Sequence, residues 1–182
     1  MNKKYDIIVA DPPWQYKEKV FHGNKINSSA EHHYSTMSLA DLKKMDIKSI
    51  AEKDCLMFMW ATGPLLDEAM ELMKAWGFKY KQVAFVWDKR RVNPGSYTMT
   101  QCEFVLVGKR GKIPGPRGAR NMKQFLSEKC TTHSTKPEEV QKRIEDMFPT
   151  QSKLEMFARS TRQGWDSFGN EVNSSITIGT KK

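Results

Sequence analysis

YDIIVADPPW, residues Tyr5 to Trp14, writes a short strand and then stops it. Tyr5-Asp6-Ile7-Ile8-Val9-Ala10 is β-branched, apolar and nearly free of charge, the composition of a buried strand. Asp11-Pro12-Pro13-Trp14 cannot continue it, because each proline lacks an N–H and fixes φ. The backbone must turn just after Asp11. That turn leaves a carboxylate, a rigid carbonyl and an indole at the carboxyl end of a strand, where open α/β sheets bind ligands. An acid, a fixed acceptor and a flat apolar surface suit a planar base that carries an exocyclic amine.

Working outward, the remaining elements alternate. Gln15 to Ser35 is a long polar stretch holding His22, His32 and His33, expected to cover the site as a loop. Ser38 opens a helix, with Asp41 in a capping-box-like position. Cys55 to Trp60 reads as a second buried strand. Pro64 starts a helix over Leu65 to Trp76 that Gly77 stops. Strands follow over Phe78 to Trp87 and Cys102 to Gly108, and Thr135 is expected to cap a helix that begins Pro137-Glu138-Glu139. Leu154 to Ala158 is a further strand. Alternation of this kind predicts an α/β fold with a doubly wound, mostly parallel sheet. Residues 1–172 are expected to form one domain, and the polar run 173–182 a disordered tail.

Composition narrows the class. The 182 residues suit one sizeable core. No apolar run approaches the roughly 20 residues of a membrane span, and no secretory leader is visible. Cys55, Cys102 and Cys130 are far apart and lack metal-ligand spacing, which fits reduced thiols in a cytosol and argues against a disulfide framework or a zinc site. The net charge of +9 is concentrated, with +1 over 1–87, +7 over 88–123 and +1 over 124–182. The middle window holds Lys89, Arg90, Arg91, Lys109, Arg110, Lys112, Arg117, Arg120 and Lys123 in Gly- and Pro-rich surroundings. Such a window is expected to track nucleic-acid phosphates. A solvated basic face is the blander alternative.

Four further motifs accompany ADPPW: HHYSTM (32–37), CEFVLVGKRG (102–111), HSTKPEEV (133–140) and KLEMFAR…GWDSFGNEV (153–172). In this order they resemble the DPPW family of adenine-N(6) methyltransferases. That family includes relatives of the messenger-RNA adenosine methyltransferase catalytic subunit and small bacterial and phage DNA enzymes. The resemblance implies a Rossmann-like methyltransferase fold in permuted order, catalytic strand first, and S-adenosylmethionine as cofactor. It implies catalysis by Asp11, Pro12, Pro13 and Trp14, with the Asp11 carboxylate and the Pro12 carbonyl accepting the two amine hydrogens. Trp14, or an aromatic nearby such as Tyr16, would stack on the base, an interaction worth about 1–3 kcal/mol. Cofactor contacts are implied at Asp11, Tyr34, Lys136, Arg159, Thr161, Arg162, Asn170 and Glu171, with Lys136 meeting the cofactor's carboxylate.

The expected substrate is nucleic acid, DNA before RNA. A binding-only subunit of a methyltransferase complex and a protein-amide methyltransferase are the alternatives from other classes. The acid at position 11 argues against both, since a silent subunit needs no such group and the amide enzymes begin this turn with Asn. No cysteine follows a proline in the site, which excludes covalent attack on cytosine. Target choice is expected from loops 15–35 and 88–123, or from a second copy in a homodimer.

Overall fold

The computed structural model describes residues 3–15, 19–21, 24–26, 36–95, 97–130 and 135–181. The elements are β1 (Tyr5–Ala10), β2 (Lys19–Phe21), β3 (Asn24–Ile26), α1 (Leu39–Lys44), β4 (Ala51–Thr62), α2 (Leu66–Ala75), β5 (Lys79–Asn93), β6 (Thr100–Arg110), β7 (Phe125–Ser127), α3 (Glu138–Met147), β8 (Lys153–Met156) and β9 (Asp166–Phe168). Seven strands form one sheet in the order β7-β5-β6-β4-β1-β8-β9, and β2 pairs with β3 alone. β1 is parallel to β4 on one side and to β8 on the other. β5 with β7 and β8 with β9 are also parallel. β6 runs antiparallel to both its neighbours, so the sheet is mixed.

Alternation of side chains fixes both faces. Ile8 and Ala10 of β1 join Met57, Met59 and Ala61 of β4 against Leu42 of α1 and Ala69, Leu72 and Met73 of α2. Ile7 and Val9 join Leu56, Phe58 and Trp60 against Val140 and Ile144 of α3 on the other face. The central strands are therefore apolar on both sides, as parallel strands covered by helices must be. From β1 the chain travels to β4 on one side and returns to β8 on the other. Asp11 consequently stands at the point where the strand order reverses, where open α/β sheets form a crevice.

Local chemistry explains most boundaries. Ser38 Oγ accepts the Asp41 N–H at 3.1 Å, the expected N-cap of α1. α2 ends in a Schellman motif. Phe78 N–H reaches the Met73 carbonyl at 2.9 Å, Gly77 N–H reaches Lys74, and Gly77 has φ of 90°. The helix α3 differs from expectation at its start. Pro137 is its N-cap residue and supplies no capping side chain, so Thr135 stands outside the capping position. The tail for which polar composition predicts disorder is tied to the fold up to Lys181. Ser175 N–H donates to Ser167 at 2.7 Å, Ile176 and Ile178 pack on the core, and Lys181 Nζ donates to the carbonyls of Lys43 and Ala75. Its two isoleucines and one lysine find partners that composition alone does not show.

Phe58 lies at the centre of β4, 2 % exposed, with its ring against those of Phe85 and Phe148. Replacing Phe58 with Ala is expected to cost about 3–5 kcal/mol by emptying a packed site. Urea unfolding followed by tryptophan fluorescence would show this as a lower midpoint.

Candidate active site

β1 cannot extend past Asp11, but its neighbours can. Asp11 N–H makes a last, long ladder bond of 3.4 Å to the Met156 carbonyl, and Pro12 has no N–H to offer. β4 pairs Met59 with Ala10 and then runs on through Trp60, Ala61 and Thr62. On the other side β8 ends at Met156, and the chain bends away at Phe157, a non-glycine residue with φ of 61°. Such a conformation is strained and persists only where the surroundings impose it. The gap left by the missing continuation of β1 is a cavity of about 730 Å³. Its size is that of a small-molecule site.

The DPPW turn forms the wall of this gap. Trp14 N–H donates to the Pro12 carbonyl and Met37 N–H to the Pro13 carbonyl, both at 2.8 Å. Pro12 thus keeps one of its two carbonyl lone pairs for another donor. The Trp14 indole is 7 % exposed and belongs to the core cluster on the α1–α2 face. It forms part of the wall of the cavity. Its Nε1 is buried with no hydrogen-bond partner among the described residues. That leaves an unmet donor beside a cavity, a feature that ordinarily has an explanation.

An ion cluster closes the other side. Lys136 Nζ lies 3.3 Å from Asp11 and 2.9 Å from Glu103, while Lys89 lies 3.3 Å from the second oxygen of Glu103. The ring of Trp60 sits 5.2 Å from the same Nζ. Burial would lower the Lys136 pKa, but the two carboxylates outweigh it and hold the amine charged above its usual range. Burial opposes charge on Glu103 as well, yet Lys136 and Lys89 hold its carboxyl below the usual range. At Asp11 burial dominates. Its pKa is raised, with Lys136 opposing and Glu103 reinforcing the rise.

Of the residues singled out from the sequence, Asp11, Pro12, Pro13, Trp14, Lys136, Arg159, Asn170 and Glu171 line the cavity. Arg159 and Glu171 form a pair at 3.6 Å. Thr161 and Arg162 are not among its lining residues. Arg162 instead bridges to Glu138 and Glu145 of α3, each at 3.6 Å, which anchors the segment after β8. Tyr34, Tyr16 and the three histidines of the 15–35 stretch lie outside the described residues. The sequence reading missed Thr62, Glu103, Trp60, Phe157 and Phe168. Glu103 was legible only as part of a strand motif, because its role follows from pairing with Thr62 at the end of β4.

The basic window divides. Lys89, Arg90 and Arg91 stand at the cavity end of β5. Lys109 and Arg110 pair with Leu56 and Cys55, near the opposite end of β4. Arg110 lies seven steps along β6 from Glu103, roughly 24 Å of strand. Arg110 donates to the carbonyls of Lys48 and Ala51, and Lys112 N–H to Asp54, at that far end. Arg117 lies over the Phe148 ring beyond α3, and Gly118 and Ala119 bond to its last turn, so Arg117 and Arg120 also stand away from the cavity. Lys123 offers its carbonyl to Arg143. The contiguity of these charges in sequence is lost because a long strand crosses the window.

The chain matches the model of the family described as MT-A70 over residues 5–171. It is 46% identical to the Type II methyltransferase M.MunI of Mycoplasma sp, over 98% of this chain and 83% of that one. It is 30% identical to the N(6)-adenine-specific methyltransferase METTL4 of Mus musculus, over 93% of this chain and 38% of the relative. An N(6)-adenosine-methyltransferase MT-A70-like protein of Arabidopsis thaliana is 28% identical, and the chain spans 24% of its length.

Removing the central cation should expose the cost of the cluster. Lys136→Met leaves Asp11 and Glu103 uncompensated and is expected to destabilise the fold by about 3–5 kcal/mol at pH 7. The loss should shrink as pH falls toward the range where both carboxyls take up protons. Urea titrations of the wild type and variant at pH 7 and pH 4.5 check it; an equal loss at both would speak against the cluster.

Proposed function

The chain belongs to the MT-A70 family, and from that membership we propose how its residues divide the work of methyl transfer. The protein is an S-adenosylmethionine-dependent methyltransferase that acts on the exocyclic 6-amino group of adenine in DNA. The observation that carries the residue assignment is the Asp11 carboxylate, fixed at the end of β1 beside Lys136 and facing the cavity. No helix among the described residues is long and apolar enough to cross a membrane.

An exocyclic amine is a poor nucleophile because its lone pair is delocalised into the ring. Asp11 accepts one amine hydrogen and the free lone pair of the Pro12 carbonyl accepts the other. These two bonds favour a pyramidal nitrogen and aim its lone pair, a matter of alignment and preorganised charge. S-adenosylmethionine, when bound, supplies a methyl group on a positively charged sulfur. After alkylation the nitrogen must shed a proton. Asp11 already occupies that hydrogen-bond position, and its raised pKa makes it a better proton acceptor than an ordinary carboxylate.

The cavity wall fits such a cofactor. Asn170 and Glu171 offer acceptors, Met37, Phe157 and Phe168 offer apolar surface, and the orphan Nε1 of Trp14 offers a donor. Lys136 has a third N–H beyond those given to Asp11 and Glu103, and we assign it to the cofactor's carboxylate. Arg159 holds Glu171 in place, and Arg162 holds the loop rather than the ligand.

Asp11→Asn is expected to lower methyl transfer by about 10²–10³-fold, the scale of losing one preorganised polar group at the reacting centre. Cofactor binding should survive. The wild type should lose activity as pH falls through the Asp11 pKa, above the ordinary aspartate range, because burial raises it. Transfer of labelled methyl to matched duplex DNA, single-stranded DNA and RNA, followed by nucleoside analysis, measures both effects. N6-methyladenine in RNA alone would keep the mechanism and replace the substrate.

A further inference from the structure

The hairpin of β5 and β6 runs on past the rest of the sheet. Thr62, the last residue of β4, pairs with Glu103, whereas β5 and β6 continue to Asn93 paired with Thr100. Residues 88–93 and 100–102 therefore have no partner in β4 and project from the end of the sheet where the cavity opens.

The base of this projection is stapled. The Asp88 carboxylate accepts Arg90 N–H at 2.9 Å, Gln101 Nε2 at 2.6 Å and Ser127 Oγ at 2.9 Å. Arg90 takes φ of 50° to do so, and its Nε donates to Ser127 Oγ at 3.0 Å. The tip closes tightly as well. A Cβ on Gly95 would lie 2.3 Å from the Thr98 carbonyl oxygen, so only glycine fits there. Thr100 Oγ1 donates to the Asn93 carbonyl at 3.2 Å.

What this arm presents is unusual for a surface. Tyr97 is fully exposed, Met99 is 60 % exposed and Val92 53 % exposed, with Arg90 and Arg91 exposed beside them. Apolar side chains set in water next to cations suit a polyanion with an apolar, stacked interior.

We propose that this tip is a wedge that enters duplex DNA, an inference that rests on the reading of the protein as a DNA adenine methyltransferase. Arg90 and Arg91 hold phosphates, and Tyr97, with the exposed Met99 two residues on, fills the stack when the target adenine swings out. Asp11 lies in the wall of a cavity, and an adenine inside a duplex cannot reach it without leaving the stack. Apolar side chains inserted between base steps offset the lost stacking. A single-stranded adenine needs no such help, which gives the proposal its signature.

The test compares Tyr97→Ala, Tyr97→Phe and the wild type on duplex and single-stranded DNA of one sequence. Tyr97→Ala should lower the duplex rate at least tenfold and leave the single-strand rate within twofold. Placing the target adenine opposite an abasic site should restore most of the loss, and Tyr97→Phe should behave as the wild type. The fluorescence rise of 2-aminopurine at the target position should disappear in Tyr97→Ala. Full duplex activity in Tyr97→Ala, an equal loss on both substrates, or a change in its oligomeric state relative to the wild type would each overturn the wedge. A wild type that methylates single strands only overturns the wedge alone. A wild type silent on every DNA overturns the functional reading and the wedge with it.

Discussion

Two consecutive prolines in the middle of a sheet govern this molecule. β1 is bonded along both edges and covered on both faces, so every rule of packing would have it continue beside β4. Pro12 has no hydrogen to give, and the ladder ends. The neighbouring chains do not end with it, and the space between them becomes a crevice with a carboxylate at its lip. The site is thus a strand deliberately left short, and its walls are the backbone and side chains that would otherwise have faced that strand.

Charge completes what the backbone begins. Lys136 arrives at the front of α3, Glu103 on β6 and Asp11 on β1, so one amine joins three elements distant in sequence. A lysine this enclosed is tolerable only between acids, and acids this enclosed only beside a lysine. The result is an asymmetric pair of carboxylates. Glu103, flanked by two amines, stays ionised, while Asp11, with one amine and a like charge nearby, is the easier of the two to protonate. Burial, the largest influence on Asp11, is thus offset at one carboxylate and not at the other.

Much of this was legible in the chain. The strand-and-stop of residues 5–14, the Ser38 cap and the Gly77 stop are local events, decided within a few residues, and the structure has them where local chemistry puts them. β7 and β9 escaped because three residues carry no periodicity that a reader could separate from loop. Glu103 escaped because its partner is chosen by strand register. The basic window misled for the opposite reason. Sequence proximity held Arg90 and Arg110 together, while an extended strand held them apart. Sequence gives no sign of how deeply Trp14 is buried, since that depends on the α1–α2 face against which its ring packs.

The antiparallel course of β6 has a consequence for how such a protein can change over generations. A parallel neighbour would require a crossover packed across the sheet, and any alteration of that connection would disturb the core. A return by hairpin places Pro94, Gly95 and residues 97–99 outside the packed layers. Substitutions at Tyr97, Thr98 and Met99 meet solvent rather than the core, so these positions can change without disturbing the packing beneath them, while Gly95 is held by the tightness of the turn. The mouth of the crevice can therefore change its surface while its walls keep their shape.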